Sequence, residues 1–287
     1  MADSGQRMTD SGQQSISMER MSKPMIRVQN LVKKYGELAA VNDISFDVAE
    51  GEIFAFLGPN GAGKTTTIKM LTTLLKPTSG SLELDGLDPC VKQSAARQQF
   101  GIVFQDPSLD DELTARENLE FHGILFNVSR QARTERIEQL LKLFELWDRR
   151  NDFVKQFSGG MRRRLEIVRG LLHTPRILFL DEPTLGLDPQ TRNQLWTHVR
   201  KLNAEERITV FLTTHYMEEA ERVAHRIAII DHGCLVAQGS PAELKERTGA
   251  ETLEGAFLAL TGTTIRDEEP TSLDRMRVIS KMWRRNR

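Results

Sequence analysis

Short apolar runs and longer stretches with helical spacing of apolar residues make up most of the chain. The apolar runs are four or five residues long and lie at residues 53–57, 100–104, 177–180, 208–212 and 227–230. Continuous runs of this kind are typical of parallel strands that helices cover on both faces. Residues 25–31 and 43–48 alternate apolar with polar side chains instead, which predicts half-buried antiparallel strands. The pattern therefore predicts an α/β fold with antiparallel strands near its beginning.

Helical spacing dominates residues 114–172, where there is little strand signal. Thr114 and Glu117 have the spacing of a capping box at a helix start. One helical face carries an apolar stripe, which predicts core packing rather than a cofactor site; its residues are Ile137, Leu140, Leu141, Phe144 and Trp147. A shorter helix is predicted over 66–75. We interpret residues 114–172 as a helical insertion in an α/β domain.

Composition narrows the class of protein. The 287 residues carry a formal net charge of −1, so we expect no overall attraction to nucleic acid. Cys90 and Cys234 lie far apart and lack metal-ligand spacing, which favours a reducing compartment. No run approaches the roughly 18 apolar residues that span a membrane, and the opening segment lacks a signal peptide's apolar core. We expect a disordered tail over 1–24 and a soluble or peripheral, cytoplasmic protein.

The segment GPNGAGKTT, residues 58–66, carries the strongest chemical signal. It matches the phosphate-binding pattern G-x-x-x-x-G-K-[ST] between a predicted strand and a predicted helix. Its glycines allow backbone N–H groups to turn toward phosphate oxygens. Lys64 would contact the β- and γ-phosphates, and the Thr65 hydroxyl would bind Mg²⁺. The residues expected to contact the nucleotide are Gly58, Pro59, Asn60, Gly61, Ala62, Gly63, Lys64, Thr65 and Thr66.

Two carboxylates directly follow one of the predicted strands. Asp181 and Glu182 come after the run 177–180, at the sheet edge where ligands bind in open α/β folds. Because neighbouring strand residues point to opposite sides, the two can have different functions. Asp181 would hold Mg²⁺ through water, and Glu182 would polarise the attacking water. The alternative is a solvated acidic turn.

Other candidate residues stand at strand ends or before the phosphate loop. His215 follows the run 208–212 at a position from which it could reach the γ-phosphate; the alternative is a surface histidine. Gln105 follows the run 100–104, and whether it has a function depends on which other candidate residues lie near it. Tyr35 could stack on a purine ring, and the alternative is a tyrosine that anchors a strand end.

Ser158, Gly159 and Gly160 precede a predicted helix and predict a second anion site, made of a hydroxyl and two backbone N–H groups. One nucleotide does not need two such sites in one chain. We therefore expect this site to close on a nucleotide held by another subunit. An ordinary helix cap is the alternative.

Together these motifs resemble the ATPase subunits of ATP-binding cassette (ABC) transporters. In order along the chain they are GPNGAGKT, Gln105, FSGGM (157–161), ILFLDEP (177–183), LGLD (185–188) and TTH (213–215). The resemblance covers residues 26–239. The segment FSGGMRRRLEI is similar to the corresponding segment in the branch of the family that includes daunorubicin-resistance exporters. Met161 stands where the family usually has Gln, which removes a polar contact at that position.

The resemblance implies a role for each matching residue. Tyr35 would stack on adenine. Lys64 and Thr65 would contact phosphates and Mg²⁺. Gln105 would sense the γ-phosphate and Mg²⁺ at the joint of the helical subdomain. Ser158, Gly159 and Gly160 would contact the partner's ATP.

The same resemblance assigns the later motifs. Asp181 would be the Mg²⁺ carboxylate and Glu182 the general base. Asp188 would belong to the dimer-interface loop, and His215 would be the switch. The implied cofactors are ATP and Mg²⁺. The implied partners are a second copy of the chain and a separately encoded membrane permease, with the ATPase peripheral to the cytoplasmic face of the membrane.

The implied fold is a P-loop NTPase mixed sheet with an N-terminal antiparallel β subdomain and a helical subdomain insertion. The expected divisions are a tail at 1–24, an ATPase domain at 25–240 with its helical subdomain at about 106–172, a C-terminal helical extension at 241–265 and a charged tail at 266–287. We expect the charged tail to be solvated, with a membrane-surface contact as the alternative.

Two other functions share some of these features. A soluble cassette ATPase could remodel nucleic acid or a protein complex, although the near-neutral charge and the absence of long coiled-coil heptads speak against it. A nucleotide-binding regulator without catalysis is a third class, and the Asp181-Glu182 pair speaks against that one. The sequence therefore favours an ATPase subunit of an exporter of drug-like or other small amphipathic compounds.

Overall fold

The computed structural model describes residues 24–262. Its strands are β1 (Ile26–Tyr35), β2 (Leu38–Val48), β3 (Ile53–Leu57), β4 (Ser79–Leu84), β5 (Phe100–Val103), β6 (Ile177–Asp181), β7 (Thr209–Thr214), β8 (Arg226–Asp231) and β9 (Cys234–Gly239). Its helices are α1 (Lys64–Leu71), α2 (Gln93–Gln99), α3 (Ala115–Leu125), α4 (Arg130–Leu143), α5 (Gly159–Leu171), α6 (Pro189–Glu206), α7 (Met217–Val223), α8 (Pro241–Thr248) and α9 (Leu253–Thr261).

The strands form two sheets in this part of the chain. One has the order β2-β1-β4 and is antiparallel, as the alternating pattern near the beginning predicts. The other has the order β5-β6-β7-β3-β8-β9 and is parallel except for the pair β8 and β9. The predicted fold class, a mixed α/β sheet with an N-terminal antiparallel sheet, is confirmed.

The central strand β3 explains why the apolar runs are continuous. All five of its side chains are buried, and they alternate between two hydrophobic clusters. Phe54 and Phe56 join the cluster that also contains Phe46 and Phe211, with ring centroids 5.5–5.9 Å apart. Both faces of the strand therefore need apolar side chains.

Helices α3, α4 and α5 form from the stretch with helical spacing. Thr114 caps α3, and the predicted capping box with Glu117 is present in both directions. Along the apolar stripe, Ile137, Leu140, Leu141 and Phe144 are buried, whereas Trp147 is half-buried. The stripe is therefore core packing, as predicted.

Some predicted boundaries were wrong. The helix expected over 66–75 begins at Lys64 and ends at Leu71. It ends early because Thr73 has a left-handed backbone (φ 65°), and the N–H groups of Leu74 and Leu75 then donate back to the Lys69 carbonyl. Strand β1 continues through a bulged region to Tyr35. Helices α2, α6 and α7 were not predicted from the sequence.

The expected N-terminal tail, apart from Pro24, lies outside the described residues, as do the end of the expected helical extension and the charged tail with its possible membrane contact. Among residues 24–262, no helix has the combination of length and apolar character needed to cross a membrane.

Candidate nucleotide-binding site

The phosphate loop connects β3 to α1, and two close backbone approaches explain its glycines. A Cβ on Gly58 would lie 2.2 Å from the Ile230 carbonyl oxygen. A Cβ on Gly63 would lie 2.5 Å from the Ala40 carbonyl oxygen, and Gly63 also has a left-handed backbone (φ 107°) at the N-cap of α1. No larger residue fits at either position. The loop therefore stays close to its own scaffold and presents the N-terminus of α1 to the cleft.

The ammonium of Lys64 lies at the centre of this loop. Its Nζ donates to the carbonyl oxygens of Gly58 at 2.7 Å and Pro59 at 3.2 Å. The same Nζ lies 3.4 Å from Glu182 Oε1, and both side chains are buried. A buried cation held against carbonyls and a carboxylate has the character needed to bind phosphate oxygens in the same place.

Glu182 leaves strand geometry immediately after β6. Its φ is 47°, so a left-handed turn is what sends the side chains of Asp181 and Glu182 in different directions. The prediction that strand alternation separates them was wrong. Glu182 Oε2 lies 2.9 Å from His215 Nδ1. Burial alone would raise the pKa of Glu182, but the hydrogen bond with His215 and the charge of Lys64 outweigh it and hold that pKa below its usual value. Glu182 is therefore ionised at neutral pH.

Asp181 is the last residue of β6 and is also buried. Its Oδ1 accepts hydrogen bonds from Thr213 Oγ1 at 2.6 Å and from Thr65 Oγ1 at 3.4 Å. Burial raises the pKa of Asp181, and the Thr213 hydrogen bond opposes that effect. Thr65 and Asp181 together offer hard oxygen donors, which fit a Mg²⁺ ion.

Thr213 belongs to the motif TTH, but its contacts with Asp181 and Glu182 were not predicted. It lies opposite Asp181 in the parallel pairing of β6 and β7. Its backbone carbonyl and hydroxyl also accept hydrogen bonds from the Glu182 N–H, at 3.2 and 3.1 Å. The position of Thr213 two residues before His215 was visible in the sequence, but its role depends on the strand order.

Lys64, Thr65, Glu182 and His215 line one cleft of about 410 Å³, whereas Asp181 and Thr213 are not among its lining residues. Gln105 is exposed and lines the cleft, so the ends of β3, β5, β6 and β7 converge on it. The lining residues are Ala40, Asn60, Gly61, Gly63, Lys64, Thr65, Thr66, Gln105, Glu182, Leu185, His215 and Tyr216. Ala40, Leu185 and Tyr216 were not predicted.

Tyr35 lies at the end of β1 and is not among the residues that line the cleft. Tyr35 is 51% exposed, and Lys33 Nζ lies 5.2 Å from the centroid of its ring. An exposed aromatic ring at a strand end offers a flat surface for stacking.

Ser158–Gly160 and Asp188 adjoin each other, although they too are absent from the described lining of the cleft. Ser158 caps α5 by accepting the Met161 N–H at 3.2 Å, and Asp188 caps α6 by accepting the Thr191 N–H at 3.0 Å. A Cβ on Gly160 would lie 2.6 Å from Thr191 Cγ2. Met161 packs against the larger hydrophobic cluster, so this signature position is used for packing.

Comparisons with known proteins identify the family. The family model described as ABC transporter matches residues 41–185. A daunorubicin resistance ATP-binding protein of Streptomyces coeruleorubidus is 40% identical over 257 residues, covering 85% of this chain and 81% of that protein. A linearmycin resistance ATP-binding protein of Bacillus subtilis (strain 168) is 42% identical over 229 residues, covering 80% of this chain and 73% of that protein.

A solved structure described as a dimeric bacterial ABC transporter cassette has a TM-score of 0.67 and 32% identity, covering 75% of this chain and 98% of its own. This chain therefore resembles ABC transporter proteins in fold as well as in sequence. The chain therefore belongs to the ABC transporter family, in which it is an ATP-binding subunit that hydrolyses ATP.

Proposed function

We propose that two copies of this chain form a head-to-tail dimer around two ATP molecules and power export through a separate membrane permease. The position of residues 158–160 carries this proposal. They form a helix N-terminus, with its N–H groups and positive dipole, and are not among the residues that line the chain's own cleft. Gly159 is exposed, and a Cβ added there would meet nothing within 4 Å. This open helix end suits a phosphate held by another copy, and the similarity to a dimeric cassette supports the same assembly.

We assign the hydrolytic step to the cluster around Glu182. Glu182 would accept a proton from the attacking water, since its lowered pKa keeps it ionised at neutral pH. His215 would hold the Glu182 carboxylate in place through their hydrogen bond and contact the γ-phosphate as the switch. Lys64 would bind the β- and γ-phosphates, and backbone N–H groups of the phosphate loop would bind the remaining oxygens.

Thr65, Asp181 and Gln105 would hold Mg²⁺ beside this cluster. The first two already lie within 3.4 Å of each other, and Gln105 lines the same cleft. When bound, the ion neutralises charge on the transferring phosphate. Tyr35 would stack on the adenine ring through its exposed face, and Asp188 would lie at the dimer interface next to Gly160.

The helical subdomain, about residues 106–172, would pass dimer closure to the permease, with the ATPase peripheral to the cytoplasmic face of the membrane. The relatives with resistance to daunorubicin and linearmycin support a drug-like or other small hydrophobic or amphipathic cargo. An apolar groove beside Gln105 supports the docking of a permease segment. Phe100, Ile102, Phe104 and Phe126 line this groove.

The substitution Glu182→Gln tests the hydrolytic assignment. We expect ATP affinity to stay within about threefold of wild type, and turnover to fall by roughly 10²- to 10⁴-fold because the general base is lost. Steady-state ATPase assays and equilibrium binding of ATP measure the two effects. The substitution should also stabilise an ATP-dependent dimer, which light scattering detects.

Glu218→Gln is the matched control, since Glu218 is an exposed carboxylate on the nearby helix α7. It should leave turnover unchanged. Near-normal hydrolysis by Glu182→Gln would remove Glu182 as the base.

A further inference from the structure

Arg163 is a buried arginine that the proposed hydrolytic step does not use. It lies in the second turn of α5 and is 8% exposed. A buried guanidinium is costly unless its donors are satisfied. The five N–H donors of Arg163 match the five hydrogen bonds that it makes.

Three of these bonds go to consecutive carbonyl oxygens of the turn after β6. Nε donates to Pro183 at 2.8 Å, and Nη2 donates to Asp181 at 2.9 Å and to Glu182 at 3.1 Å. This is the left-handed turn that directs the Glu182 carboxylate toward Lys64 and His215. Arg163 therefore holds the backbone that positions the general base.

Of the two remaining bonds, one goes to the strand end that carries Gln105 and the other to Glu166 in α5. Arg163 Nη1 donates to the carbonyl oxygen of Phe104, the residue before Gln105. It also donates to Glu166 Oε2 at 3.0 Å, and Glu166 is 3% exposed. Glu166 Oε1 in turn accepts the Ser108 N–H at 2.9 Å. Arg163 and Glu166 thus bind the backbone on both sides of Gln105, at Phe104 and at Ser108.

We propose that Arg163 is a positioning residue that couples the two ATP sites of the dimer. This rests on the head-to-tail dimer of the proposed function. Arg163 joins the acidic turn and the Gln105 segment of its own site to α5, whose first turn at Ser158 serves the partner's site. Because α5 is a continuous helix, a shift of the acidic turn displaces the Ser158 end as well. Arg163 therefore acts on two ATP sites at once.

Mixed dimers can separate the effect of Arg163 on the ATP site of its own copy from its effect on the partner's site. One copy carries Lys64→Ala and supplies an intact Ser158 segment, and the other carries Ser158→Arg and supplies an intact phosphate loop. A mixed dimer then has one complete site. Mixing the two inactive variants should restore about a quarter of wild-type activity if half of the dimers are mixed and each has one working site of two.

Arg163→Lys is then placed in either copy. Lysine keeps the charge but has three donors for five acceptors. We expect kcat of the restored site to fall roughly tenfold with Arg163→Lys in either copy, while KM changes by less than about threefold. An effect confined to the copy with the intact phosphate loop would mean that Arg163 supports its own acidic turn alone. That result, an effect confined to the other copy, or no effect would overturn the proposal.

Arg162→Lys is the matched control, because Arg162 is the neighbouring arginine and pairs with Asp111 at the surface. It should leave the restored rate unchanged in both copies. The melting temperature and ATP affinity of each variant show whether a lowered rate reflects unfolding, which would lower both. A kcat loss that appears only together with loss of ATP binding would overturn the positioning role.

Glu166→Gln provides a second variant if Arg163→Lys does not fold. It keeps the shape of Glu166 but removes the charge that pairs with Arg163. We expect a smaller loss of kcat, again from either copy, and an unchanged rate would overturn the proposal. If mixing Lys64→Ala with Ser158→Arg restored no activity, the head-to-tail dimer of the proposed function would be wrong. The coupling by Arg163, which depends on that dimer, would then be wrong as well.

Discussion

At the scale of single residues, His122 and His173 are two half-buried titratable groups outside the ATP site. Both rings pack on Phe126, with centroid distances of 4.6 and 4.0 Å. Burial lowers the pKa of His122 to about 3, with a further contribution from the charge of Arg169. Burial lowers the pKa of His173 to about 4, although its contact with the Phe100 carbonyl opposes the shift. Both histidines are therefore neutral in the folded protein.

This predicts a loss of stability in mild acid. Both folded pKa values lie below the unfolded value of about 6.5, so the unfolded chain takes up protons first as the pH falls. The free energy of unfolding should decline from pH 6.5 toward pH 4, by about 1–2 kcal/mol for each histidine at pH 5. Chemical denaturation at a series of pH values measures this slope. The double substitution His122→Gln and His173→Gln should flatten it.

His232→Gln is the control, because the His232 side chain is 92% exposed. If the double variant lost stability with falling pH as steeply as wild type, His122 and His173 would not be the cause.

The roles of Arg163 and Thr213 could not be predicted from the sequence. Arg163 stands in a run of three arginines, and nothing in that run distinguishes the buried one from its neighbours. Thr213 acts on Asp181 because β6 and β7 are paired in register. The motif residues were found because their chemistry fixes their spacing, whereas these two depend on tertiary contacts.

At the scale of elements, β5 and α5 touch through a pair of glycines. A Cβ on Gly101 would lie 2.0 Å from the Gly170 carbonyl oxygen, so the strand and the helix are in backbone contact. A Cβ on Gly170 would meet nothing closer than 3.6 Å. Gly101 must therefore be a glycine, whereas Gly170 has room for a Cβ.

Gly101→Ala should destabilise the protein by about 1–3 kcal/mol or more, since the backbone must move to admit the methyl group. Gly170→Ala should be neutral or stabilising by up to about 1 kcal/mol, because alanine favours the helix and its Cβ fits. Urea denaturation compares the two, and each variant serves as the control for the other. Equal effects would contradict the backbone contact.

Element prediction succeeded where one physical signal dominates. The apolar runs identified the buried parallel strands because both faces of that sheet are covered. Helix α6 was missed, although Leu195, Trp196, Val199 and Leu202 are buried at helical spacing. Its end points are set by the Asp188 cap and a left-handed Arg207, and neither is visible as a periodic pattern.

At the scale of the whole molecule, the fold and the main motifs were predictable, but the meeting of distant segments was not. The pattern along the chain placed Gln105 and Asp181 at the ends of strands and Lys64 in the phosphate loop. It could not show that the Ser158 segment adjoins Asp188 and lies outside its own cleft, since that follows from how α5 and α6 pack. By the proposed function, the Ser158 end and the groove beside Gln105 are the surfaces that contact partners.

The groove has a volume of about 360 Å³ and lies between the end of α1, β5, α3 and the end of α5. Its lining is mostly apolar, and Leu74 at its rim is 58% exposed. An apolar surface of this kind is typical of a binding site for a partner segment. By the proposed function, the occupant is a segment of the membrane permease.

Leu74→Glu should therefore weaken association with the permease without reducing ATP hydrolysis by the isolated subunit, since Leu74 lies outside the ATP cleft. Val91→Glu is the matched control, because Val91 is an apolar residue that is 76% exposed and is not part of the groove lining. Co-purification of the permease from detergent-solubilised membranes measures the difference. We expect recovery to fall roughly tenfold or more with Leu74→Glu, since a buried unpaired charge costs at least about 1.4 kcal/mol. Equal recovery with both variants would place the docking surface elsewhere.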